Sequence, residues 1–143
     1  MPRPRSLTFV ACAMVLLLLP LTARAQGNAQ SLGSVRITKK VLANGQPLAP
    51  GTYTVRLSSD SVTSVTGESA DSEKWIEFVQ GGQVKGKELA TVISGADIKT
   101  VSKQTTPAAG TVRVDTLKGA DYIRVWINHG GTHYLVHLTV ATS

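Results

Sequence analysis

From Tyr122 to Val140, apolar and polar side chains alternate with period two across a Gly130-Gly131 pair, and no other feature restricts the fold of this chain as much. Successive residues of a strand point to opposite faces, so such a run buries one face as a β-strand and none as a helix. A two-residue turn at Gly130-Gly131 sets Ile127 opposite Tyr134, Val125 opposite Val136 and Ile123 opposite Leu138, which gathers the apolar side chains on one side. The other side then carries Tyr122, Arg124, Trp126, His133, Leu135 and His137.

The same period recurs upstream. Residues 52–58 alternate with Tyr53, Val55 and Leu57 inward, and Val35, Ile37 and Val41 share a face of a first strand in which Lys39 breaks the pattern. Residues 73–80 and 84–93 read as a hairpin about Gly81-Gly82. A three-residue loop there would place Phe78 opposite Val84, Glu77 opposite Lys85 and Lys74 opposite Glu88, with Gly86 marking a bulge. Residues 58–72 read as a loop with a short edge strand at 61–66, and residues 94–110 as an irregular connection. Val, Ile and Thr are abundant and no window of helical length keeps a 3.6 period. Roughly seven to nine strands at about 8–12-residue spacing predict an all-β antiparallel β-sandwich of two sheets packed face to face.

The run Asn44-Gly45-Gln46-Pro47-Leu48-Ala49-Pro50-Gly51-Thr52-Tyr53-Thr54-Val55 contains an Asn-Gly turn, a second turn at Pro50-Gly51 and an inward Tyr. It resembles the NG-x-P-L-x-x-G-x-Y-x-V hairpin of secreted bacterial prealbumin-like and immunoglobulin-like sandwich domains. The resemblance covers about a dozen residues and implies a sandwich fold; it transfers no active site.

Ahead of the strands, Arg3 and Arg5 precede an apolar run at 7–21 that closes on Ala23-Arg24-Ala25. A basic start, a short apolar stretch broken by Pro20 and an A-x-A site are the parts of a secretory signal peptide at 1–25, with cleavage expected after Ala25. The run falls short of the roughly 18 residues that span a bilayer, and the mature chain carries no comparable stretch. Residues 26–33 are small and polar and read as a flexible leader, leaving one domain at 34–143. The expected address is secreted, in the periplasm or outside the cell. Cys12 is the one cysteine, and the residues before it suit lipidation poorly, so the mature chain forms no disulfide and relies on packing. The formal charge of +6 includes Arg3, Arg5 and Arg24; twelve basic against nine acidic residues then remain, a formal +3. These bases are scattered, which argues against a nucleic-acid footprint.

His129, His133 and His137 recur every fourth residue, and His133-Tyr134-Leu135-Val136-His137 has the outline of a zincin helix. The central Glu is missing and the segment is a strand, on which His133 and His137 stand roughly 13 Å apart, too far for one ion with bonds near 2 Å. A metal site is therefore not the first expectation, and His129 at the hairpin tip is expected to be solvated. Nothing in the mature sequence matches a nucleophile elbow, a P-loop or a dinucleotide fingerprint, and no cofactor is implied.

Tyr122, Arg124, Trp126, His133 and His137 form a more suggestive group. Flat aromatic faces beside a guanidinium suit sugar rings, peptide side chains or carboxylates, provided that no strand or loop covers them. Trp75 is a second outward aromatic, which Lys85 and Lys87 would cover with their stems. The sequence thus predicts a secreted, non-catalytic binding or structural module of the cell envelope, using those five residues toward an envelope protein or polysaccharide. The alternative is a metal-binding or metal-dependent hydrolytic protein centred on His133 and His137, with a loop ligand such as Asp97 or Asp121. Self-assembly through an exposed edge strand is a third reading.

Overall fold

The computed structural model describes residues 29–63, 67, 69 and 71–142. The expected signal peptide, Cys12, the cleavage point after Ala25, the start of the leader and residues 64–66 of the expected edge strand lie outside them. Residues 61–63 are not in a strand.

Among the described residues, nine antiparallel strands and one short helix follow in order: β1 (Ser31–Ile37), β2 (Val41–Ala43), β3 (Gln46–Leu48), β4 (Gly51–Leu57), β5 (Glu73–Gln80), β6 (Gln83–Ile93), α1 (Ile98–Val101), β7 (Thr111–Thr116), β8 (Tyr122–His129) and β9 (Thr132–Val140). Three two-residue turns set the registers. Asn44-Gly45, Gly81-Gly82 and Gly130-Gly131 all have positive φ at both positions, from 45° to 85°. That is the backbone of a type I′ turn, whose twist matches the flanking strands.

In the β8–β9 hairpin Ile127 faces Tyr134, Val125 faces Val136 and Ile123 faces Leu138, as the alternation requires. The β5–β6 hairpin departs from its expected register. Its loop has two residues, so Val79 faces Val84; Lys85 is then the extra residue of a bulge, after which Phe78 faces Gly86 and Glu77 faces Lys87. A Gly-Gly pair reaches the tighter turn without strain, and the bulge at Gly86 absorbs the change of phase. Glu77 binds Arg56 at 2.7 Å and Lys74 reaches Asp71 at 3.4 Å, in place of the expected Lys85 and Glu88.

Lys39 does more than interrupt a strand. It lies in the break between β1, which pairs with β4, and β2, which pairs with β3 and β9. Upstream, β1 begins at Ser31, so Leu32, assigned by its polar neighbours to the leader, is a core residue with 2% exposure. A register shift between Ser31 and Gly33 turns it inward.

The ladder runs β1-β4-β5-β6-β9, and β9 carries β8 and then β7 on its other side. The edge of β9 toward β6 is shared: β6 takes residues 133–136 and β2 takes residues 139–140. The sheet folds over so that Val35, Tyr53, Val55, Phe78, Ile123 and Val136, from five different strands, meet in one core. It nearly closes on itself. A Cβ built on Gly33 of β1 would lie 3.0 Å from Val112 Cγ2 of β7, and Gln30 Nε2 is 2.9 Å from His129 Nε2, yet no ladder joins β1 to β7. Burying each Val, Ile or Phe side chain contributes about 1.5–3 kcal/mol, so this inner core dominates stability.

Candidate functional site

The face of β7, β8 and β9 turned away from that core holds most of the residues nominated from sequence. On β7 it presents Arg113 and Asp115, which face Trp126 and Arg124 of β8; on β9 it presents His133, Leu135 and His137. Trp126 faces Leu135 directly and reaches His133 on the diagonal, a separation long side chains cross.

Trp126 has no exposed surface and His133 is 3% exposed, so of the two arrangements that the sequence allows for this face, open or covered, the covered one holds at both positions. Residues 94–110, read from sequence as a connection, lie over them as a strap. Ile98 and Pro107 are its buried side chains. Gln104 Oε1 accepts from Arg124 Nη2 at 2.7 Å, the Thr105 carbonyl from Arg113 Nη1 at 2.5 Å and the Pro107 carbonyl from Asn128 Nδ2 at 2.9 Å. The result is a second, smaller core on the outer side of the sheet.

Its interior is polar and, but for one donor, matched. Trp126 Nε1 donates to His133 Nδ1 at 2.9 Å, with the rings edge to face and their centroids 5.9 Å apart. The guanidinium carbons of Arg113 and Arg124 each stand 4.9 Å from the indole centroid. Cross-strand pairing explains the first contact and i, i+2 spacing on β8 the second. One carboxylate serves both cations: Asp115 Oδ1 is 3.0 Å from Arg113 Nε, and Oδ2 is 2.9 Å from Arg124 Nη2. Partial burial opposes the ionisation of Asp115, but hydrogen bonds from Arg124 and Arg113 outweigh it and hold the carboxyl below its ordinary pKa. Arg124 Nε is buried without a partner, the one such side-chain atom among the described residues.

Beyond the strap the face is open. Tyr122 is 47% exposed, His137 is exposed opposite Arg124, and Arg124 itself is half-buried. Burial, and after it the charge of Arg124, lowers the pKa of His137 below that of a free imidazole. Of the five nominated residues, then, Tyr122 and His137 are accessible, Arg124 lies at the boundary, and Trp126 and His133 are covered.

The three histidines do not converge. His129 is half-buried against Gln30, contrary to the solvated tip expected for it; His133 is engaged by Trp126, and His137 lies at the open end. Asp97 accepts from the Ser94 hydroxyl at 2.6 Å. Among the described residues no group of three His, Cys, Asp or Glu side chains is placed to hold a metal ion.

Trp75 is half-buried with Lys87 Nζ 4.9 Å from its ring centroid, the covering role expected of Lys87; Lys85 instead donates to Gln83. A groove of about 460 Å³ opens between the β2–β3 turn and β6, lined in part by Asn44, Gln46, Val84 and Lys85. The Asn44 N–H there donates to Glu88, Lys87 is paired with Asp60 and Glu77 with Arg56.

Sequence reasoning missed Arg113, Asp115 and Gln104, whereas Asn128 lies opposite His133 as the hairpin register predicts. For the first two a signal exists: residues 111–116 alternate Thr-Val-Arg-Val-Asp-Thr, so Arg113 and Asp115 fall on the face opposite Val112 and Val114. No helix among the described residues is long and apolar enough to cross a membrane. Comparison with protein-family models, with curated proteins and with solved structures gave no match.

Proposed function

We propose that this chain is a secreted, non-catalytic β-sandwich that serves as a binding or structural module of the cell envelope. The observation that carries this reading is how the outer face uses its polar residues. Arg113, Arg124, Asp115, Trp126 and His133 bind one another and the strap, which is the work of fasteners and not of acids, bases or nucleophiles. What remains for contact with another molecule is the open end, where Tyr122 stands beside His137 and the rim of Arg124. A Tyr ring beside an imidazole and the rim of a guanidinium suits an envelope protein or polysaccharide that carries acidic groups.

Two further points support it. The N-terminal residues have the form of an export signal. The 44–55 segment, which resembles prealbumin-like and immunoglobulin-like domains, forms a turn and an inward Tyr53 whose hydroxyl donates to the Ala49 carbonyl at 2.5 Å. Self-assembly is disfavoured at the edge formed by β6 and β3. Among the described residues the part of β6 before Ala90 pairs with β5 alone, and it carries a bulge, Lys85 and Lys87, while β3 beside it carries Pro47. These are devices that blunt an edge.

The test is co-sedimentation of the exported chain with purified cell-wall polysaccharide and, separately, with envelope membranes from its own source. Tyr122→Ala and His137→Ala should each weaken pelleting with the melting temperature unchanged. Pelleting that neither substitution changes, or that is absent from both fractions, overturns the reading.

A further inference from the structure

One hydrogen bond of the second core exists in a single protonation state. An indole N–H only donates, so the contact from Trp126 Nε1 needs a lone pair on His133 Nδ1. That places the imidazole proton on Nε2 and leaves the ring neutral. An imidazolium has two donors and no acceptor, so protonation would set two N–H groups against each other at 2.9 Å. His133, 3% exposed, meets little water that would repay the charge.

The surroundings oppose a further cation as well. On β7 the charged neighbours are Arg113 and Asp115, on β8 Arg124 with His129 at the strand end, and on β9 His137. The stretch of β6 that pairs with β9, Ala90 to Ile93, carries no charge, and the strap brings Asp97, Lys99 and Lys103. Asp115 is already shared by two guanidinium groups and Asp97 is bonded to Ser94. Two side-chain ties of the strap run through these arginines, to Gln104 and to the Thr105 carbonyl; a third, from Asn128 to the Pro107 carbonyl, comes from the residue that faces His133 across the β8–β9 ladder. A charge on His133 therefore repels the posts to which the strap is tied, and the strap itself adds one four-residue helix and the buried side chains of Ile98 and Pro107.

We infer that residues 94–110 are an acid-released cover: protonation of His133 breaks its bond to Trp126, and the strap lifts from the outer face while the sheet beneath stays folded. Burial holds the pKa of His133 below 6.5, so the closed state is fully favoured above that value. The advantage is lost as pH falls below 6.5 toward the lowered pKa of the closed state. The cover is shut at neutral pH and opens in acid.

The experiment follows Trp126 emission, excited selectively over tyrosine, and acrylamide quenching from pH 8 to pH 4 in the exported chain carrying Trp75→Phe, which leaves Trp126 as its one tryptophan, with far-ultraviolet circular dichroism alongside. Emission should shift to the red and the quenching constant rise several-fold below pH 6.5 while the strand signal holds. Adding His133→Gln, whose side-chain oxygen accepts from the indole and does not titrate, should abolish the change; adding His137→Gln should leave it. A pH profile shared by the parent and His133→Gln, or a shift of Trp126 that coincides with loss of strand signal, overturns the inference. Should His133→Gln fail to fold, hydrogen exchange on the unaltered chain decides. After correction for intrinsic rates, amides 98–102 must open at pH 5 while β5 stays protected, and equal protection at pH 5 and pH 7 overturns the inference.

Discussion

The molecule has two cores on opposite faces of one sheet, and they are made of different material. The inner one is apolar, contains Phe78, Val125, Ile127 and Val136 with no exposed surface, and is assembled from eight of the nine strands. The outer one is a tryptophan between two arginines, closed by a histidine, an aspartate and a strap without strands. Apolar burial is non-directional and tolerates small shifts, whereas a polar core holds when each donor and acceptor is met. The inner core should therefore fail as a whole, and the outer one locally, bond by bond.

The largest expected effect tests the first half of that contrast. Phe78→Ala removes a fully buried ring that packs edge to face on Tyr53, with centroids 6.3 Å apart. It should cost about 3–5 kcal/mol. In urea denaturation of the Trp75→Phe chain with and without Phe78→Ala, the strand signal and Trp126 fluorescence should move together to a lower midpoint. Separate transitions would show that the cores are less dependent than the shared sheet implies.

Trp126→Phe tests the second half. It keeps an aromatic ring under the strap but removes the donor to His133 Nδ1, and an unmet buried acceptor costs about 1–3 kcal/mol. Amide exchange should quicken across 98–102 and leave β4 and β5 protected. Uniform acceleration across the sheet would make the two cores one.

The contrast also governs what the sequence reveals. Period two exposes the inner core because apolar side chains have one place to go, and the β8–β9 register follows from Gly130-Gly131 and that alternation alone. The outer core escapes because a buried Trp-His-Arg group and an exposed binding stripe contain the same residues. What separates them is the strap, whose hold on Arg124, Arg113 and Asn128 comes from one glutamine side chain and two backbone carbonyls, groups without a sequence pattern. The β5–β6 register shows a different limit. Pairing Glu77 with Lys85 satisfied charge on paper, but a Gly-Gly turn and one bulged residue moved Glu77 to Arg56.

Asp115→Asn sharpens the comparison through charge. The variant keeps the shape and strips the carboxylate from between Arg113 and Arg124, leaving two guanidinium groups about the indole without a counter-charge. Because the site is partly open to solvent, the cost should be about 1–2 kcal/mol, below that of breaking a fully buried pair. The pH dependence has a definite sign. A carboxyl whose pKa is lowered on folding stabilises the fold fully above its ordinary value of 3.8, and that stability is lost as pH falls through the lowered pKa. Between pH 5 and pH 2 the urea midpoint of the parent should therefore fall more steeply than that of the variant, and parallel slopes would remove Asp115 from the account.

The smallest expected effect lies where an inward-facing position of the inner sheet is polar. Glu88 stands opposite Ile76, a core residue, yet its carboxylate turns to the β2–β3 hairpin, taking the Asn44 N–H on Oε2 at 2.5 Å and the Leu89 N–H on Oε1 at 3.0 Å. It bridges a gap in the ladder, since β3 and β6 lie side by side without pairing: a Cβ on Gly86 would fall 2.9 Å from Leu48 Cδ2. Glu88→Gln keeps the size but has one oxygen for two donors, so one N–H loses its acceptor at a cost of about 0.5–1.5 kcal/mol. The loss should act on one hairpin and not on the core. Exchange at Asn44 and its neighbours in 41–48 should quicken while the transition measured by strand signal moves little. If the global midpoint instead falls as far as it does for Phe78→Ala, the hairpin belongs to the cooperative inner core, and the line between collective and bond-by-bond failure must be drawn outside it.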